Sequence, residues 1–165
     1  MFDQARKVGP AGVVVEIGSF RGRSAAFMGA ALSRLPGSPR LYAVDPFTGA
    51  TMPYSIPGNS TLEDFKRNTS RYADTIVLCQ GFSFDVVKKW QLPIDFLWID
   101  GDHTFEGCGR DIQDWVPFVK SGGMVAFHDY GNPCGVKEAV EKEFHRFERP
   151  GTAGVNGSIY YARKA

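Results

Sequence analysis

The sequence predicts a single α/β domain over residues 1–165, a doubly wound, mostly parallel sheet in three layers. Three observations predict it. Short β-branched runs alternate five times with stretches of helical periodicity, which joins parallel strands through crossover helices. Runs such as Val13-Val14-Val15-Glu16-Ile17 are largely apolar on both faces, as strands covered by helices on either side must be. With 43% hydrophobic and 22% charged side chains in 165 residues, the chain has the size and composition of one globular domain.

The elements follow in order. Strand one covers 13–17, and Gly18-Ser19-Phe20-Arg21-Gly22 forms a turn. Over 24–35, Met28, Ala31, Leu32 and Leu35 keep helical spacing until Pro36-Gly37 stops them. Strand two is 41–45. Residues 46–59 are rich in Pro, Gly, Thr and Ser and read as a loop; its Met52, Tyr54 and Ile56 offer apolar surface to cover a bound acceptor. Ser60 reads as an N-cap, with Glu63 completing a capping box for a helix to about Tyr72. Strand three is 75–79, followed by a short helix over 84–90. Strand four, 94–99, ends in Asp100. The next helix carries Phe105, Cys108, Ile112, Trp115 and Val119 on one face, with Pro117 shortening its last turn. Strand five is 123–127 and a helix covers 136–144. Residues 157–164 alternate as a final strand, with 144–149 as its expected antiparallel partner.

Composition narrows the partners. Net charge is +1 and no Lys/Arg-rich run occurs, so nucleic acid and membrane surfaces are not expected partners. Cys79, Cys108 and Cys134 are odd in number and lack C-x-x-C spacing, which fits a reducing cytoplasm better than a disulfide framework or a zinc ribbon. No apolar run approaches the roughly 20 residues of a membrane span. The start, Met1-Phe2-Asp3-Gln4, lacks a signal-peptide pattern. It reaches strand one so soon that a segment present in longer relatives is expected to be missing. A homo-oligomer is compatible with the sequence.

The unusual residues fall where ligands bind in such sheets, beyond the carboxyl ends of the strands. Strand one runs into Gly18–Ser24, strand two ends in Asp45, strand three in Gly81-Phe82-Ser83, strand four in Asp100-Gly101-Asp102-His103, and strand five in His128-Asp129-Tyr130. The first turn separates two cofactor classes. A dinucleotide fold needs G-x-G-x-x-G, whose second glycine lets the backbone approach a pyrophosphate; here Phe20 stands in that position. S-adenosylmethionine has no phosphate, so the bend Gly18-x-x-x-Gly22 suffices, with Asp45 accepting both ribose hydroxyls.

These segments resemble class I S-adenosylmethionine-dependent methyltransferases, in the small-molecule O-methyltransferase branch that includes catechol and macrolide-sugar O-methyltransferases and cephalosporin-hydroxylase-like proteins. The resemblance is carried by Val15–Ser24, Val44-Asp45-Pro46-Phe47, Gln80-Gly81-Phe82-Ser83, Ile99-Asp100-Gly101-Asp102-His103 and Gly122–Tyr130. It runs from about Val13 to the C-terminus. It implies seven strands with the last antiparallel, Glu16, Gly18, Ser19, Phe20 and Ser24 around the methionine part, Asp45 on the ribose, and Phe82 and Ser83 beside the adenine. Many relatives carry an acidic residue where Phe82 stands. Phe82 can stack on adenine but cannot accept from its amino group, so base recognition would rest on backbone or Ser83.

Methyl transfer needs an aligned acceptor that loses its proton, by a positioned base or a divalent cation. His103 falls where the catechol enzymes place their base, and an imidazole suits neutral pH. Asp100 and Asp129 match the carboxylate ligands of metal-dependent relatives. The third ligand is either His128, before Asp129, or Tyr130, after it. An Asp100/Asp129/His128 set suits Mn²⁺, Fe²⁺ or Zn²⁺ better than Mg²⁺. Trp98, Trp115, Phe118 and Phe96 read as core, His145 as structural, and Arg21 and Arg23 as solvated. Two rivals stand beside this reading: a non-catalytic S-adenosylmethionine-binding domain, and an NAD-linked oxidoreductase.

Overall fold

Seven strands form one sheet in the computed structural model, which describes residues 1–51, 54–55 and 60–165. They are β1 (Val13–Ile17), β2 (Arg40–Asp45), β3 (Ile76–Gln80), β4 (Ile94–Ile99), β5 (Val119–Phe127), β6 (Gly154–Asn156) and β7 (Ile159–Arg163). Their spatial order is β3-β2-β1-β4-β5-β7-β6. The first five pair in parallel, and β7 runs antiparallel to both β5 and β6. The expected three-layer, mostly parallel sheet with a reversed last strand is the observed one.

The helices are α1 (Phe2–Ala5), α2 (Arg23–Leu32), α3 (Leu62–Thr69), α4 (Ser83–Val86), α5 (Phe105–Trp115) and α6 (Val136–Ala139). Alternation along the strands divides the core between the two faces. Val15, Ile17, Leu97 and Ile99 pack with Cys108, Ile112 and Trp115 of α5 and with Phe144. Val14, Leu41, Phe96 and Trp98 pack with Met28 and Leu32 of α2 and Phe65 of α3. No helix among the described residues is long and apolar enough to cross a membrane.

The chain runs from β1 outward to β3, then returns to β4 on the other side of β1, so the strand order reverses between β1 and β4. Here the two strand ends nearly touch. Asp100 N donates to Ile17 O at 2.9 Å, and a Cβ on Gly18 (φ 86°) would lie 2.1 Å from Asp100 O. Only glycine fits this left-handed, crowded position.

Several boundaries differ from the sequence reading, each for a tertiary reason. The N-cap of α3 is Thr61, not Ser60, because Thr61 is fully buried and its N–H is tied to Phe47 O at 3.2 Å. No side-chain capping bond forms there. Val119 belongs to β5, paired with Ile94, since the 3₁₀ turn Val116–Phe118 with Pro117 ends the helix first. The partner of β7 is β6, not 144–149, which meets β7's extension only at a Glu148–Lys164 bridge. Asn156 pairs with Ile159 across Gly157-Ser158, a two-residue hairpin whose Asn-Gly dipeptide is a strong turn signal. Inside 46–59, Ala50–Thr51 pairs with Tyr54–Ser55. The side chains of Met52, Tyr54 and Ile56 lie outside the described residues.

Candidate active site

A cavity of about 420 Å³ opens at the carboxyl ends of β1, β2 and β4, at the reversal point. Of the residues singled out in the sequence, Gly18, Phe20, Asp45, Phe82, Ser83 and Asp100 line it. Glu16, Ser19, Gly22, Ser24 and Gly81 do not. Glu16 is completely buried and accepts from Ser19 Oγ at 2.7 Å, while its Oε1 has no hydrogen-bond partner among the described residues. Burial pushes its carboxyl up to about 7, with the Ser24 and Ser19 hydroxyls opposing the rise. Gly22 (φ 79°) caps α2 and serves packing, since a Cβ there would meet Thr69 Cγ2 at 2.8 Å. Gly81 N–H is held by Asp45 O at 3.0 Å.

Asp45 organises the rim. Its Oδ2 accepts from Phe20 N at 2.8 Å and its Oδ1 from Phe47 N. Phe20 (φ 47°) and Phe47 (φ 55°) are both left-handed, a costly conformation for bulky side chains that such anchoring maintains. Burial raises the Asp45 carboxyl above its ordinary range, opposed by these N–H donors. Each oxygen already takes one backbone N–H, so only one further acceptor direction per oxygen is left for a ribose hydroxyl.

Beside the cavity, two carboxylates and two imidazoles converge. His103 Nε2 lies 3.4 Å from Asp100 Oδ1 and from Asp129 Oδ2; His128 Nδ1 lies 3.2 Å from the same two oxygens. His128 Nδ1 is buried, and its close partners among the described residues are these two carboxylates. Burial disfavours the Asp100 carboxylate, but bonding and charge from His103 and His128 outweigh it and hold its pKa below the usual value. The Asp100 carboxylate in turn raises His103, and raises His128 to about 9. Asp129 itself is left-handed (φ 58°). Asp100, His103 and Asp129 each offer a ligand atom within 4.8 Å of the others. Of the two residues flanking Asp129, His128 approaches Asp100 and Asp129 through Nδ1, but the third ligand atom of this set comes from His103, not from His128 as expected. The Tyr130 hydroxyl instead meets Glu141 Oε1 at 3.4 Å, while its ring packs at a tilt of 32° against Tyr160.

Four lining residues escaped the sequence reading: Phe84, Gly107, Arg110 and Asp111. Phe82 stacks on Phe84 (centroids 5.2 Å, 8°), and the Arg110 guanidinium covers Phe84 at 4.0 Å. Asp111 is 4% exposed, and burial pushes it up to about 7 despite a hydrogen bond from Ser83 Oγ at 2.6 Å. The available signal was a carboxylate three residues after Cys108, on the buried side of α5. Elsewhere, Trp98, Trp115 and Phe96 are buried core, whereas Phe118 is only half-buried. Arg21 pairs with Asp64 at 3.3 Å, and His145 with Glu148 at 3.3 Å.

Comparison with known proteins gives this geometry a family. The sequence profile of a family described as a methyltransferase domain matches residues 15–130. A curated relative, uncharacterized protein R132 of Acanthamoeba polyphaga mimivirus, is 27% identical over 124 residues, 70% of this chain. The chain spans about half the length (50%) of that relative. Among solved structures, the O-methyltransferase NovP superposes with a TM-score of 0.76 at 18% identity, covering 99% of this chain and 79% of NovP. The calicheamicin methyltransferase CalS11 gives 0.72 at 21% identity, covering 98% and 75%.

Proposed function

Because the chain belongs to the methyltransferase domain family, we propose that it moves a methyl group from S-adenosylmethionine to a hydroxyl of a small acceptor, with help from a divalent metal. One observation carries the reading: the cavity bounded by Gly18, Phe20, Asp45 and Phe82 shares Asp100 with the cluster of His103, His128 and Asp129. A donor seated along the strand ends would present its sulfonium methyl toward a proton-accepting centre. The Gly18 bend, backed by the buried Glu16–Ser19 hydrogen bond, holds the methionine part, and Asp45 the ribose. CalS11, a neighbour in fold, is a TDP-rhamnose 3'-O-methyltransferase, which fits a hydroxyl acceptor.

The donor carries its own leaving group, so alignment and deprotonation are what the protein must add. His103, beside Asp100 and Asp129, accepts the acceptor's proton. Asp100 orients that imidazole and stabilises the charge it gains. The buried His128 Nδ1, 3.2 Å from carboxylate oxygens of Asp100 and Asp129, makes with them a donor set that fits Mn²⁺, Fe²⁺ or Zn²⁺. Held by Asp100, Asp129 and His128, such an ion would supply Lewis acidity to the acceptor oxygen.

The test is transfer of a labelled methyl group to a panel of small alcohols, sugars and phenols, with Mn²⁺, Fe²⁺, Zn²⁺ or Mg²⁺ and after chelation. Labelled ether products that decline on chelation are expected. Donor binding with no transfer to any acceptor would instead identify a binding domain without catalysis.

A further inference from the structure

Asp111 is a nearly buried carboxyl that borders the cavity, and it has no cationic partner among the described residues. The neighbouring Arg110 covers Phe84 and pairs with Asp114 at 3.6 Å. Burying such a group costs free energy unless it is hydrogen-bonded or used. Ser83 Oγ occupies Oδ1. The other oxygen is near Gly101, which also lines the cavity: a Cβ there would sit 3.4 Å from Oδ2. The wall beside it is the Phe82–Phe84–Arg110 stack, with Phe82 49% exposed and available to a planar base.

Resting on the reading of the cavity as a donor site, we infer that Asp111, positioned by Ser83, accepts a hydrogen bond from the adenine amino group and sets selectivity for adenosyl over inosyl donors. A carboxyl oxygen is the complement of an exocyclic amino group. In hypoxanthine the amino group is replaced by a carbonyl, so above pH 7, where Asp111 is ionised, two acceptors would face each other. A buried polar group left without its partner is what makes such sites discriminate. Phe82, unable to accept from the base, supplies stacking. The acceptor comes from α5, 28 residues further along the chain than Ser83.

The experiment is calorimetric titration of the whole chain with S-adenosylhomocysteine and with S-inosylhomocysteine, for wild type, Asp111→Asn and Ser83→Ala. Wild type should prefer the adenosyl ligand by about tenfold or more, the cost of one buried mismatch. Asp111→Asn, whose amide can donate to the inosyl carbonyl, should erase or invert that preference. Ser83→Ala should reduce it a few-fold, and it decides the matter if Asp111→Asn does not fold. A purely structural role would weaken both ligands alike. The inference is overturned if wild type binds the adenosyl ligand and the ratio is the same in every folded variant. Failure of wild type to bind either ligand would instead overturn the donor-site reading, and this inference with it.

Discussion

Two cavities sit at opposite ends of the sheet, and they treat charge differently. The one at the amino ends, about 190 Å³, is bordered by Lys7, Asp95, Lys120 and Arg163. Asp95 accepts from Val13 N at 2.8 Å and Lys120 Nζ at 2.7 Å, and Arg163 donates to Gly122 O at 2.8 Å. The cavity at the carboxyl ends has the buried carboxyl of Asp111 with no cationic partner among the described residues, left-handed Phe20 on its rim, and two imidazoles crowded against Asp100 and Asp129 beside it. Charged residues alone do not mark a site. Charges held under strain and without partners do, because folding alone gives no reason to keep them.

The sharpest way to break that comparison is to remove Asp100, which belongs to both cavity and cluster. Asp100→Ala should lower methyl transfer by about 10³-fold or more, and His103→Gln by ~10²–10⁴-fold, the usual worth of a positioned base. Asp95→Ala should leave turnover unchanged. Initial rates with a labelled donor make the comparison, and equal losses at the two ends of the sheet would refute it.

The next effect is on stability. Burial pushes Glu16 and Asp111 up to about 7 in the folded chain, against ordinary carboxyl values of 4.5 and 3.8. The unfolded chain therefore loses these protons first. Their contribution is complete below about pH 4, falls as pH rises, and is gone above 7. Each carboxyl adds a slope of up to about 1.4 kcal/mol per pH unit in that window. Urea denaturation from pH 5 to 8 should show declining stability, and Asp111→Asn should flatten the decline.

Smaller differences follow. Asp45→Ala should weaken S-adenosylhomocysteine binding about 10–100-fold in titration calorimetry, as expected for bonds to a charged group. Asp95→Ala should cost about 1 kcal/mol of folding stability by stranding Val13 N–H, with ligand affinity untouched. The two variants thus separate binding from architecture.

Much of this arrangement is legible in the sequence. Uninterrupted apolar runs reveal strands covered on both faces, and the polar residue ending each run marks the carboxyl rim. Asp45, Asp100, His103, His128 and Asp129 stand out for that reason. What the sequence hides depends on tertiary approach. Asp111 meets Ser83 only because α4 and α5 pack side by side. Thr61 displaces Ser60 as cap because Phe47 anchors it. Asn156-Gly157, by contrast, is a local signal whose turn fixes β6 against β7.

The central claim is that the carboxyl-end cavity is a phosphate-free nucleoside site. Titration of the folded chain with S-adenosylhomocysteine, and separately with NAD, tests it most directly. Saturable one-to-one binding of the first and no heat from the second are expected. Binding of NAD alone, or of neither ligand, would contradict it.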